Sequence, residues 1–144
     1  MLALEKLIIT EVILGKMVED IDLKEARAHF CKQKFAIAKS NKTIEGAFSN
    51  IITHDEITVV IDQSKIAGIN FIDIEKDWKI LTIETGTPIE VVGVFAKISH
   101  ALADAGVSIM PIASFSKDHF LIKERDVDKA INALKGIGIE VERH

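Results

Sequence analysis

The sequence predicts an α+β chain, and its C-terminal half carries the prediction. WKILTIE, residues 78–84, alternates apolar and polar side chains as a half-buried strand does. Two apolar stripes at helical spacing follow, one after Thr87 and one after Asp126, each closed by a glycine, Gly106 and Gly136. Between them VSIMPIASF and DHFLIKE are separated by a short polar turn. Strand, helix, strand, strand, helix, strand is the split βαβ order of ferredoxin-like domains, which places both helices on one face of an antiparallel sheet.

Taken in order, Trp78 to Glu84 is the first strand. Val91, Phe95, Ile98 and Leu102 then mark one face of a helix near Val92 to Ala105. Val107 to Phe115 is next. Pro111 cannot donate to a ladder, so that strand lies at an edge or carries a bulge. Ser116 and Lys117 turn the chain into DHFLIKE, with Phe120 and Ile122 on one face and His119, Leu121 and Lys123 on the other. Asp126 is an N-cap for a helix over Val127 to Lys135 whose buried face is Val127, Ala130, Ile131 and Leu134. IGIEVE gives the last strand, so Trp78 to Glu142 is expected as a four-stranded antiparallel sheet. The expected core is Ile80, Phe95, Ile98, Leu102, Ile109, Phe120, Ile122, Ile131, Leu134 and Ile139. An edge as apolar as VSIMPIASF predicts self-association.

The first half reads as a smaller lobe. KFAIAKS is a strand, and AFSNIITHDEITVVID is a hairpin turning at His54 and Asp55. DEITVVID set above KDHFLIKE gives a faint internal repeat of the hairpins' second arms. Only NKTIEG separates the first strand from its hairpin, too short for a crossover helix, so this lobe is an incomplete copy and its sheet needs another cover. IDLKEARAHF, with Leu23, Ala26 and Phe30 on one side, is a candidate amphipathic helix for that role. For Met1 to Met17, helix and strand are equally compatible with the pattern. The expected division is a lobe over 1–76, with an unplaced leading segment over 1–32, and a domain over 77–144.

Composition narrows the function. The chain has 144 residues, 48% hydrophobic and 28% charged, too apolar for a disordered protein. Its net charge of −4 leaves no excess cation to neutralise phosphates, so nucleic acid is not an expected partner. LIITEVILG is interrupted by Glu11 and preceded by Glu5 and Lys6, which fits neither a signal peptide nor a membrane span and reads as cytoplasmic. Cys31 is the sole cysteine, which excludes an internal disulfide and a cysteine metal cluster, and reads as a buried small hydrophobe. The five histidines, His29, His54, His100, His119 and His144, show no metal-ligand spacing, and no metal or cofactor is expected. His100 falls off the apolar stripe and should be solvated. There is no GxSxG elbow, phosphate loop, or nucleophile set beside a base, so intrinsic catalysis is not expected.

The segment from Asp77 to Leu134 resembles an ACT domain, on the tryptophan-led strand at Trp78, the glycine-opened helix at Gly93, the AGVSI turn from Ala105 to Ile109, and Ser114, Phe115 and Asp118 before LIKE. The similarity is to small two-lobed ACT proteins and the amino-acid-sensing ACT subfamily, and KFAIAKS with its hairpin is similar to that family's opening strand and hairpin. Two signals compete for the start of the first helix. Thr87, Pro88 and Glu90 form a capping box with proline at the first helical position, whereas the resemblance starts the helix near Gly93. With the later start Ile89 to Val92 is a loop, and the N–H groups of Val92, Gly93 and Val94 form an anion site. The resemblance implies that an amino acid's carboxylate sits there. Asp118, close to Ser114 and Ser116, is placed to meet the ligand's ammonium group, and His119 to line the same pocket. The plain alternatives are a glycine that permits close packing and a turn aspartate.

The resemblance implies a regulatory protein that senses an amino acid or related small molecule, an oligomer, expected to be a homodimer, with a regulated enzyme or other protein as its partner. The alternative is an ACT-like dimerisation or interaction module with no ligand.

Overall fold

The computed structural model describes residues 2–88 and 91–144. Helix α1 (Leu2–Glu19) opens the chain and settles the ambiguity of its leading segment. The expected helix over IDLKEARAHF does not form. Asp22 accepts from the Lys24 N–H at 3.0 Å in a turn, and RAHF is strand β1 (Arg27–Phe30), with Ala28 and Phe30 buried. The alternation within RAHF, read at helical period, was overridden by an open place in the sheet.

Strands β2 (Phe35–Ser40), β3 (Ser49–Ile52) and β4 (Ile57–Asp62) form the first lobe, with the turn at His54 and Asp55 as expected. Strand β5 (Asp73–Glu84) belongs to both lobes. Its first part pairs with β2, Lys39 against Asp73 and Phe35 against Trp78, and its second part pairs with β7 (Asp118–Lys123), Trp78 against Lys123 and Ile83 against Asp118. The strand changes partners at Trp78, next to Asp77, whose φ of 64° is the only positive value at a non-glycine residue among those described. Aspartate tolerates that region better than most residues. Gln63 holds it from both sides, donating to Asp77 Oδ1 at 3.1 Å and accepting from its N–H at 2.8 Å.

The second lobe continues with α2 (Val94–Asp104), β6 (Met110–Ala113), β7, α3 (Val127–Gly136) and β8 (Val141–Arg143), the expected βαββαβ order. Strand β6 pairs with β7 alone and carries Pro111 at the sheet edge. The four-stranded arrangement needs one correction. Strand β8 pairs in parallel with β1, Ala28 against Val141, and β1 lies between β8 and β5. A segment before the first lobe therefore fills the place beside the second lobe's first strand.

Helices α2 and α3 pack on one face of this sheet around Leu81, Ile83, Ile98, Leu102, Phe120, Ile122, Leu134 and Ile139, with Phe30 from β1. Of the expected core, Ile109 and Ile131 are only partly buried, and Phe95 is 44% exposed. The buried stripe of α2 is Val94, Ile98 and Leu102, so the stripe through Val91 and Phe95 began one residue off register. On the first lobe, Ala36, Val59 and Ile61 are covered by Ile44, Ala47, Ile66, Ile69 and Phe71 from loops. Asn50 pins the first loop by bonding both the N–H and the C=O of Ile44. A third cluster, with Phe35, Val60, Ile80 and Leu121, joins the two lobes. Both β4 and β7 run into a 3₁₀ turn, Gln63–Lys65 and Glu124–Asp126. The repeat thus matches Val59, Val60 and Ile61 with Phe120, Leu121 and Ile122, one residue away from the alignment of DEITVVID on KDHFLIKE. No helix among the described residues is long and apolar enough to cross a membrane.

Candidate functional site

Gly93 decides where α2 begins. It has φ of 93° and no side-chain cap, and its carbonyl accepts the helix's first bond from Lys97 N–H at 3.0 Å. Side chains with a Cβ rarely adopt that conformation, whereas glycine does so freely. The later of the two expected starts is therefore the observed one. Glu90, the third member of the capping box, lies outside the described residues together with Ile89. Before Gly93 the chain is looped, with Val91 N–H donating to Pro88 O at 3.1 Å. First-turn amides have no partner inside a helix, so those of Val94, Phe95 and Ala96 end α2 with partial positive charge.

That end of α2 meets the turn joining β6 to β7. Ser114 N–H and Ser114 Oγ both donate to Lys117 O, at 2.9 and 3.0 Å, and close the turn. Between helix and turn lies a cavity of about 320 Å³ lined by Thr85, Thr87, Pro88, Val91, Val94, Phe95, Ala113, Ser114, Phe115, Ser116, Lys117 and Asp118. The structure thus brings together Val94, Ser114, Ser116 and Asp118. Val92 stands on the exposed loop and Gly93 behind the helix start, neither on the wall. Burial pushes the Asp118 carboxyl above its ordinary value, against the smaller opposing effect of His119. Neither an ion pair nor a side-chain hydrogen bond is seen for that carboxylate among the described residues.

His119 does not line this cavity. It points to the other face of the sheet, where Nδ1 lies 2.9 Å from Thr82 Oγ1, Nε2 lies 3.2 Å from Ser114 Oγ, and Phe48 packs edge-on at 5.2 Å. The alternation of β7 sends neighbours to opposite faces, so adjacency to Asp118 in sequence separated the two in space. Burial holds the imidazole below its ordinary value. Sequence reasoning missed Thr85, Thr87, Pro88, Val91, Phe95, Ala113, Phe115 and Lys117 as lining residues, although the run of small polar residues after WKILTIE marked where the strand ends.

A second cavity is chemically occupied from within. Of about 410 Å³ and beside Cys31, it holds Glu124 and Asp128, but Lys34 lies 3.1 Å from Glu124 and Arg143 is paired with Asp128. Cys31 Sγ donates to Ile80 O at 3.4 Å, and burial raises its thiol pKa. No cluster of three His, Cys, Asp or Glu suited to a metal ion occurs among the described residues. His100 is solvated and lies 3.2 Å from Asp104.

The sequence model of the ACT domain family matches residues 73–136, the span from the shared strand to the end of α3. This segment is an ACT domain. A comparison with curated proteins finds no match. Among solved structures, a protein from Agrobacterium tumefaciens superimposes with a TM-score of 0.72 at 20% identity, covering 83% of this chain and 93% of that one. A Vibrio cholerae protein of unknown function, described as a possible transport protein, gives 0.69 at 18% identity, with 88% and 98% covered. The aspartate kinase of Clostridium acetobutylicum, described as an allosteric enzyme, gives 0.61 at 16% identity; 78% of this chain matches 34% of the kinase. These likenesses extend beyond the ACT domain into the first lobe, so the chain is an α+β protein in which an ACT-like lobe precedes the ACT domain.

Proposed function

We propose that this chain is a regulatory protein, not a catalyst, that senses an amino acid or a related small molecule through its ACT domain. The observation that carries the reading is the cavity that sets the Asp118 carboxylate opposite the first turn of α2. A helix N-terminus attracts a carboxylate and an aspartate attracts an ammonium group, so one zwitterion satisfies both ends. Val94, Ser114, Ser116 and Asp118 are proposed to meet the ligand on the cavity wall, with Gly93 setting the start of α2, Val92 on the loop before it and His119 acting only through its bond to Ser114 from the other face. The division into units over 1–76 and 77–144 belongs to the same proposal, as does a cytoplasmic location. Calorimetric titration of the full chain with each of the twenty amino acids tests it. Asp118→Asn should weaken the bound one by about 1.5 to 3 kcal/mol, the worth of a charge-assisted contact. If none of the twenty binds at millimolar concentration, the reading fails.

Self-association is part of the proposal. Strand β6 leaves its outer edge unpaired, and α1 exposes Leu2, Leu4, Leu7, Ile8 and Ile9, each more than half accessible. The same surfaces support the second reading, an interaction module without a small-molecule ligand. Through either surface a homo-oligomer or a regulated enzyme is the partner.

A further inference from the structure

The cavity has one charged end and one apolar wall, and the wall is left uncovered. Phe95 is 44% exposed and Phe115 90% exposed. Phe95 is nevertheless held in place, because its ring stacks on the fully buried Phe120 at 5.6 Å and 19°. Phe120 follows Asp118 by two positions on one face of β7, so that ring stands beside the carboxylate. Resting on the amino-acid reading above, we propose that the ligand carries an apolar side chain, aromatic or branched aliphatic, which lies against Phe95 and Phe115.

Charge and hydrogen bonding point the same way. Asp118 is the single carboxylate among the described lining residues. Once it holds the ammonium group, a lysine or arginine side chain meets no second carboxylate among the described lining residues. Lys117 is the single cation among the described lining residues and stands on an exposed turn, where pairing with a carboxylate gains little. Three of the four hydroxyls on the described wall are already engaged, Thr85 Oγ1 and Thr87 Oγ1 2.7 Å apart and Ser114 Oγ donating to Lys117 O, while Ser116 stands on the exposed turn. An apolar side chain asks for none of these and removes the exposed rings from water. At about 320 Å³ the cavity is at the small end for ligand sites, sized for one amino acid rather than a peptide.

The test is calorimetry of the full chain with phenylalanine, leucine, methionine, serine, lysine, arginine and aspartate. The apolar three should bind roughly ten- to a hundredfold more tightly than serine or lysine. Phe115→Ser changes a residue that is 90% exposed, so the fold should keep its unfolding midpoint while apolar ligands fall toward the affinity of serine. Phe95→Ser provides the same comparison on the stacked ring. The inference is overturned if a charged or hydroxylated amino acid binds most tightly, or if Phe115→Ser and Phe95→Ser leave the apolar ligands unaffected; should Asp118→Asn still weaken the bound ligand, the amino-acid reading stands without it. If none of the seven binds, isoleucine, valine, tryptophan or tyrosine as the bound one of the twenty sustains the side-chain inference, and a polar or charged one overturns that inference alone. If none of the twenty binds, both are lost.

Discussion

Asp118 couples the proposed site to pH. Its pKa is raised chiefly by burial, so the proton is held to a higher pH than on an ordinary aspartate, whose value is 3.8. An ammonium group needs the ionised form. Affinity for the bound amino acid should therefore be full at neutral pH and decline as pH falls toward the raised pKa, beginning above the range where a free aspartate would titrate. For the fold the sign is reversed, since a raised carboxyl pKa favours the native state at low pH and that gain is lost as pH rises through it. Titrations between pH 7 and 4 check the first statement, and Asp118→Asn should flatten the profile. At Gly93 the φ of 93° changes what a substitution there would report. Gly93→Ala should cost about 1 to 3 kcal/mol in backbone strain alone, visible as a lowered unfolding midpoint even without ligand.

Among the elements, β1 and α2 show what was legible in the sequence. Phe30 is 2% exposed beneath the helices, whereas Phe95 on the outer flank of α2 is 44% exposed. Phe30→Ala should cost about 3 to 5 kcal/mol as a cavity-forming change, and Phe95→Ala clearly less; denaturant unfolding of the two variants should separate them. The order from β5 to β8 was readable because each apolar stripe was long enough to fix its period and each glycine fell at a helix end. Segment 27–30 was not, because four residues beside charged neighbours carry too short a pattern, and a strand that inserts between two others is specified by partners far away in sequence. The site was legible in the same partial way. Ser114, Ser116 and Asp118 share a turn and could be found together, while Phe95 and Val91 meet them only through the packing of α2 on the sheet.

At the scale of the whole molecule, the exposed apolar face of α1 sets an expectation for association. Leu4 and Ile8, one helical turn apart, are 63% and 51% exposed. If α1 takes part in self-association, Leu4→Glu with Ile8→Glu should shift sedimentation toward the monomer without changing the unfolding of the ACT domain, since both side chains are exposed and outside its core. A second consequence concerns the order in which the molecule is built. Strand β1 is made early and lies between β5 and β8, and β8 comes from the opposite end of the sequence. On a ribosome the first of these three strands must wait, unpaired, for the other two to emerge. Closing so long a loop is slow compared with forming either hairpin, so the late step in refolding should be the arrival of β8 against β1, with the hairpins already protected from hydrogen exchange and Phe30 still open to solvent.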